Sequence, residues 1–143
     1  MSVGSAAGSC RSVTRVSELN KSKIRLFVEA VLNEGRLELI DDLVAVDYIG
    51  HAPSLEPGVR GPEGVRRLVS SRRRECPDLY VKIEDQIAEE DRVVTRWRAT
   101  ERDLRRPGAA QREGTRRYSG ISIVRLLAGK QVDSHTEFRR LEQ

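Results

Sequence analysis

Apolar residues recur in two different rhythms along this chain, and the change falls near Pro77. Over residues 20–32, Ile24, Phe27, Val28 and Val31 stand at i, i+3, i+4 and i+7, which is one face of an amphipathic helix. Lys21, Lys23, Arg25 and Glu29 take the other side, Ser17 or Asn20 can cap the start, and Gly35 closes the end. Leu37, Ile40, Leu43 and Val44 repeat the pattern and predict a second, short helix over 36–44. Residues 47–53 read as an extended segment that runs into a loop, because Pro53, Pro57, Gly58 and Gly61 exclude regular structure. Pro62, with Glu63 beside it, starts a third helix to about residue 75, with Val65, Leu68 and Val69 inward. The run Arg72-Arg73-Arg74 near its end suits the helix dipole and reads as a solvated cap.

Beyond Pro77 the period is two. Leu79, Val81 and Ile83 alternate with Tyr80, Lys82 and Glu84, and Val93, Thr95, Trp97 and Ala99 alternate with Val94, Arg96 and Arg98. Both runs predict half-buried antiparallel strands, separated by the polar turn Glu89-Glu90-Asp91. A long loop over 104–114, with Pro107 and Gly108, leads to a strand over 118–126, a turn at Ala128-Gly129-Lys130 and a last strand. Helices first and strands after predict an α+β fold: N-terminal helices packed on a strongly curved antiparallel or mixed sheet, forming a cone with an internal pocket.

Composition changes this picture little. The chain of 143 residues suffices for one domain with its own core, assigned to 17–143, behind a disordered tail over 1–16 made of small and polar residues. Its charge is mixed, 26 Lys and Arg against 22 Asp and Glu for a net +4, and it holds one Trp, three Tyr and two Phe. That argues against nucleic acid, which calls for a basic face interleaved with aromatics, and against a membrane partner. Cys10 and Cys76 have no second pair or nearby histidine to make a metal site, and read as free thiols. The first 16 residues lack the apolar run of a signal peptide, and no stretch approaches the roughly 18 apolar residues of a membrane span. A cytoplasmic protein is expected.

Candidate chemistry concentrates in the last strand. Asp133, His135, Glu137 and Arg139 stand at every other position, so strand geometry puts them on one face. By the same parity Trp97, Ala99, Glu101 and Asp103 share a face, and Trp97 is the natural wall of a pocket. If the two faces coincide, several carboxylates, a histidine and an indole line one cavity. Such a set suits proton abstraction beside a carbonyl, with a buried carboxylate as base. His135 with Asp133, Glu137 or Asp103 would exchange the proton, and Trp97, Glu101, Tyr118 and the loop residue His51 would contact substrate. Arg139, if it reaches the cavity, would stabilise an enolate or phenolate. No glycine-rich phosphate loop, His-Glu-x-x-His or Gly-x-Ser-x-Gly occurs, so no cofactor and no metal are expected.

Six segments in series resemble the SnoaL-like polyketide cyclases. They run from Gly35-Arg36-Leu37-Glu38-Leu39-Ile40-Asp41-Asp42-Leu43 through Asp47-Tyr48-Ile49-Gly50-His51, Gly61-Pro62-Glu63-Gly64-Val65 and Cys76-Pro77-Asp78-Leu79. The last two are Asp91-Arg92-Val93-Val94-Thr95-Arg96-Trp97 and Ile121-Ser122-Ile123-Val124-Arg125 with Gly129-Lys130-Gln131-Val132. The resemblance implies a cone-shaped α+β barrel of the nuclear-transport-factor-like superfamily. It also implies a cofactor-independent enzyme of bacterial aromatic polyketide biosynthesis, of anthracycline type, closing a ring by intramolecular aldol chemistry. Two alternatives come with it: hydroxylation of a polyketide on the same fold, and a non-catalytic ligand-binding or dimerisation module. A polycyclic aromatic polyketide is the expected substrate and a homodimer through the sheet the expected assembly. Where members often read Glu-His-Trp in the last strand, this chain has Asp133-Ser134-His135.

Overall fold

The computed structural model describes the backbone of residues 3–102 and 115–141, and the side chains of those from Arg15 onward. The helix α1 (Val3–Leu26) continues into a π-helical turn over Phe27–Leu32. It begins within the stretch 1–16 that the sequence assigns to a disordered tail; no proline interrupts it there. Gly35 ends the helical segment as expected, at φ 73°, with the amide of Arg36 donating to the Ala30 carbonyl and that of Gly35 to Val31. This closure needs a left-handed residue, and glycine takes it without strain.

The second helix is shorter than the apolar pattern suggests. A 3-10 turn (Leu37–Leu39) leads into α2 (Ile40–Leu43), and Val44 already has extended backbone as the first residue of β1 (Val44–His51). The β-branched Val44 and Val46 are at home in a strand, where Val44 is drawn into register with Gln131. A two-residue strand β2 (Val59–Arg60) precedes α3 (Gly61–Glu75). Then follow β3 (Tyr80–Glu89), β4 (Arg92–Arg102), β5 (Thr115–Leu127) and β6 (Lys130–Leu141). Ala128 and Gly129, at φ 52° and 80°, make the tight turn between the last two strands. The predicted loop over 104–114 lies outside the described residues.

The six strands form one sheet in the order β2-β1-β6-β5-β4-β3, antiparallel except for the parallel pair β1 and β6. The architecture is α+β with a mixed sheet; the sheet has two edges, β2 and β3, and is not closed into a barrel. Two apolar clusters join it to the helices. Val31, Ile40, Leu43, Val44, Tyr48, Val65 and Val69 tie α2, α3 and β1 together, while Ile24 and Val28 pack on Val93, Val124 and Leu126. Each aliphatic side chain so buried contributes about 1.5–3 kcal/mol. Asn33 fixes the angle between layers by exchanging hydrogen bonds with the backbone of Val81, at 2.8 and 2.7 Å. Among the described residues, no helix is long and apolar enough to cross a membrane.

Candidate active site

Between the helices and the concave face of the sheet lies a cavity of about 480 Å³. Its floor is the inner face of the three central strands, and the register gives its layout row by row. Val93, Val124 and Ser134 lie side by side; the next row is Thr95, Ser122 and Thr136, and the next Trp97, Gly120 and Phe138. Ala99 and Tyr118 begin a fourth row, and Glu101 closes β4 beyond them. Gly120 makes room for the indole: a Cβ there would fall 2.2 Å from Cζ2 of Trp97. With Phe138, Trp97 and Tyr118 form an aromatic wall, ring centroids 6.3 and 5.9 Å from Phe138. Phe27, Val28, Leu32, Leu68 and Val69 supply the helical side.

Most polar groups in this cavity are paired with one another. Trp97 Nε1 donates to Ser122 Oγ at 3.0 Å, and Ser122 Oγ lies 2.8 Å from Thr136 Oγ1. Tyr48 and Ser134 share a hydrogen bond of 2.7 Å between their hydroxyls, and burial pushes the Tyr48 pKa above the usual phenol range. Glu101, only 2% exposed, is held by Arg72, by Arg116 at 3.3 Å and by the Tyr118 hydroxyl at 3.0 Å. Burial, and then the neighbouring Glu101, raise the pKa of Tyr118. Both carboxylate oxygens are thus committed to protein donors, which suits an anchor better than a free base. Arg72 does not serve as the solvated helix cap read from the sequence, and Arg73 donates to the Leu32 carbonyl at 2.9 Å.

The charged set of the last strand is placed differently from its expected position. Ser134, Thr136 and Phe138 line the cavity, so Asp133, His135, Glu137 and Arg139 project from the opposite, outer face. There Asp133 pairs with Arg125 at 2.8 Å, and Glu137 and His135 stand opposite the exposed Ile121 and Ile123. Arg139 is exposed and does not reach the cavity. The cause is a bulge. On β5 the partners step from Leu126 to Arg125, while on β6 they step from Gln131 to Asp133, so β6 holds one extra residue. Gln131 points inward with Leu126, and after the bulge it is Ser134 that faces in, beside Val124. Uninterrupted alternation from Gln131 would have put the four charged residues inside. Sequence alone hides the bulge, but the alternative face, Ser134-Thr136-Phe138, was the less polar one, and cost of burial favours it.

Trp97, Glu101 and Tyr118 do line the cavity and His51 borders it, whereas Asp103 lies outside the described residues. The His51 side chain is 37% exposed, with Nδ1 3.8 Å from Glu56 Oε1. Its ring stacks on that of His135, centroids 5.0 Å apart and planes at 16°, and as register partners across the parallel pair β1 and β6 the two share the outer face, while Tyr48 and Gly50 face the cavity. Sequence reading missed Arg72, Tyr48, Ser122 and Gln131 as cavity residues. Among the described residues, no group of three or more His, Cys, Asp or Glu could hold a metal ion.

The family model for the SnoaL-like domain matches residues 24–135. Among curated proteins none matches. Solved structures share the fold. A candidate polyketide cyclase from Acidithiobacillus ferrooxidans superposes with a TM-score of 0.73 at 22% identity, over 84% of this chain and 87% of that one. AclR, a candidate hydroxylase from Streptomyces galilaeus, gives 0.69 at 20% identity, over 86% and 80%. An LEH-like epoxide hydrolase from M. tuberculosis gives 0.70 at 14% identity, over 86% and 84%. At such identities the likeness is one of fold, on which several chemistries occur.

Proposed function

The chain belongs to the SnoaL-like domain family, and within it we propose a cofactor-independent enzyme that closes a ring on a flat, largely aromatic polyketide held in the cavity. The observation that carries this reading is the cavity: apolar, and walled by Trp97, Phe138 and Tyr118. Stacking on the aromatic wall would hold the fused rings and keep the reacting side chain folded against them. The carbon beside a carbonyl gives up a proton, the resulting enolate carbon attacks a second carbonyl, and the alkoxide takes up a proton. The step is an isomerisation and needs no oxidant or reductant.

The same cavity supports a second reading, a binding module without turnover, because Glu101 is tied to three donors rather than free. One experiment separates them. Aromatic polyketides that keep an uncyclised keto side chain are incubated with the protein under strict anaerobiosis and followed by chromatography and mass spectrometry. Ring closure gives a product of unchanged mass, or of one water less. A product heavier by one oxygen, formed only in air, would mean hydroxylation instead. Retention without any product would leave the binding role.

A further inference from the structure

Gln131 lies at the deep end of the cavity, 4% exposed, between register partners Val44 and Leu126 that are 1% and 2% exposed. Its Nε2 is fully buried and donates to no protein atom. The other buried polar groups of the cavity do not relieve it. Ser122, Thr136 and Trp97 satisfy one another, as do Tyr48 and Ser134, and Glu101 is taken by Arg72, Arg116 and Tyr118. A buried donor without an acceptor is costly enough that folded proteins rarely keep one unless something else supplies the acceptor. The backbone is also built to keep it there. The pairing of β6 with both its neighbours shifts register just after Gln131, and this bulge leaves the amide facing inward while Asp133 faces out.

We propose that Gln131 is the recognition donor of this cavity, and that the ligand enters with a carbonyl or phenolate oxygen leading, to accept a hydrogen bond from Nε2. This rests on the reading that the cavity takes a flat ring system and specifies which end goes in first. It selects ring ligands with an acceptor on the buried edge over hydrocarbons of the same shape, because only the acceptor satisfies the amide. With that edge fixed at the deep end, the opposite edge of the ligand is left toward Trp97, Tyr118 and Phe138.

The test uses two rigid three-ring probes that differ by one carbonyl, 9-fluorenone and fluorene. Trp97 is the only tryptophan of the chain and lines the cavity, so quenching of its fluorescence reports fluorenone binding, and fluorene is measured by competition. The full chain is expected to prefer fluorenone about tenfold. In Gln131→Met, which keeps the length of the side chain and removes the donor, that preference falls to within about twofold. A second measurement needs no variant: the carbonyl stretch of bound fluorenone moves to lower wavenumber than in an apolar solvent. Equal affinities in the unaltered protein, an unshifted carbonyl band, or a preference that survives in Gln131→Met overturns the role of Gln131 and leaves ring binding standing. If neither probe binds, ring binding and the role of Gln131 fall together. Since binding is read and not turnover, absence of ring-closing activity bears on the proposed reaction alone.

Discussion

The two faces of β6 carry opposite kinds of residue and do opposite work. The outer face presents Asp133, His135, Glu137 and Arg139, and its neighbours on β5 are the exposed Ile121 and Ile123. The inner face presents Ser134, Thr136 and Phe138, joined by short hydrogen bonds and ring contacts to Tyr48, Ser122, Trp97 and Tyr118. Density of ionisable groups marks the solvated side here. A cavity for a flat apolar ligand is marked by the quieter side, whose hydroxyls are spoken for while Gln131 Nε2 is not. Among the described lining residues the carboxylate is Glu101, and two arginines and a phenol accompany it, while Arg73 is bonded to the Leu32 carbonyl.

The largest expected contrast comes from cutting one carboxylate on each face. Glu101→Leu leaves Arg72, Arg116 and Tyr118 without their common acceptor. Arg72 is 41% exposed, so water recovers part of the loss, and a destabilisation of about 2–3 kcal/mol is expected in urea. Asp133→Ala removes a solvent-screened pair with Arg125 and is expected to cost less than about 1 kcal/mol. Equal losses would mean that the faces do not differ as their burial implies.

A smaller effect tests the inner hydroxyls. Tyr48→Phe removes the Tyr48–Ser134 bond and is expected to cost about 1 kcal/mol at neutral pH. It also changes the response to alkali. Tyrosine in the unfolded chain ionises near pH 10, whereas burial raises the folded-state pKa of both Tyr48 and Tyr118. Between the two values the unfolded chain has lost its proton and the folded one has kept it, so stability falls as pH rises. Their contribution is whole below about pH 10 and is lost above it. In Tyr48→Phe the alkaline decline is shallower; a decline as steep as that of the unaltered chain would place its origin elsewhere.

The helical faces, the strands and their order were legible because each depends on local period alone. Ile24, Val28 and Val31 mark the first helix whatever packs on it, and Gly35 ends it for a reason internal to the chain. Trp97, Ala99 and Glu101 could be put on one face because β4 keeps step with β5 throughout. On β6 that reasoning stops at the bulge, which exists only as a relation between strands, and one extra residue exchanges inside for outside. The short second helix fails for a related reason: apolar spacing describes Leu37 to Val44, but pairing with β6 claims Val44 for the sheet. Arg72, read on its helix alone, is a cap; the partner that claims it, Glu101, stands on β4. Long-range partners decide all three.

His135 gives the smallest effect and the finest test of the comparison. It is the outer-face residue whose chemistry most resembles a catalyst, and its ring lies against that of His51, its register partner on the same face. Its own place is exposed, opposite Ile123, with the sheet between it and a ligand in the cavity. His135→Ala is therefore expected to leave stability within about 0.5 kcal/mol. Ring-closing turnover should stay within a few-fold, and the pH profile of kcat should keep its shape, because the imidazole does not reach the reacting atoms. If His135→Ala instead lost turnover about a hundredfold and altered that profile, the stacked imidazoles of the outer face would be the proton-transfer unit, and the chemistry would not lie on the inner side of β6.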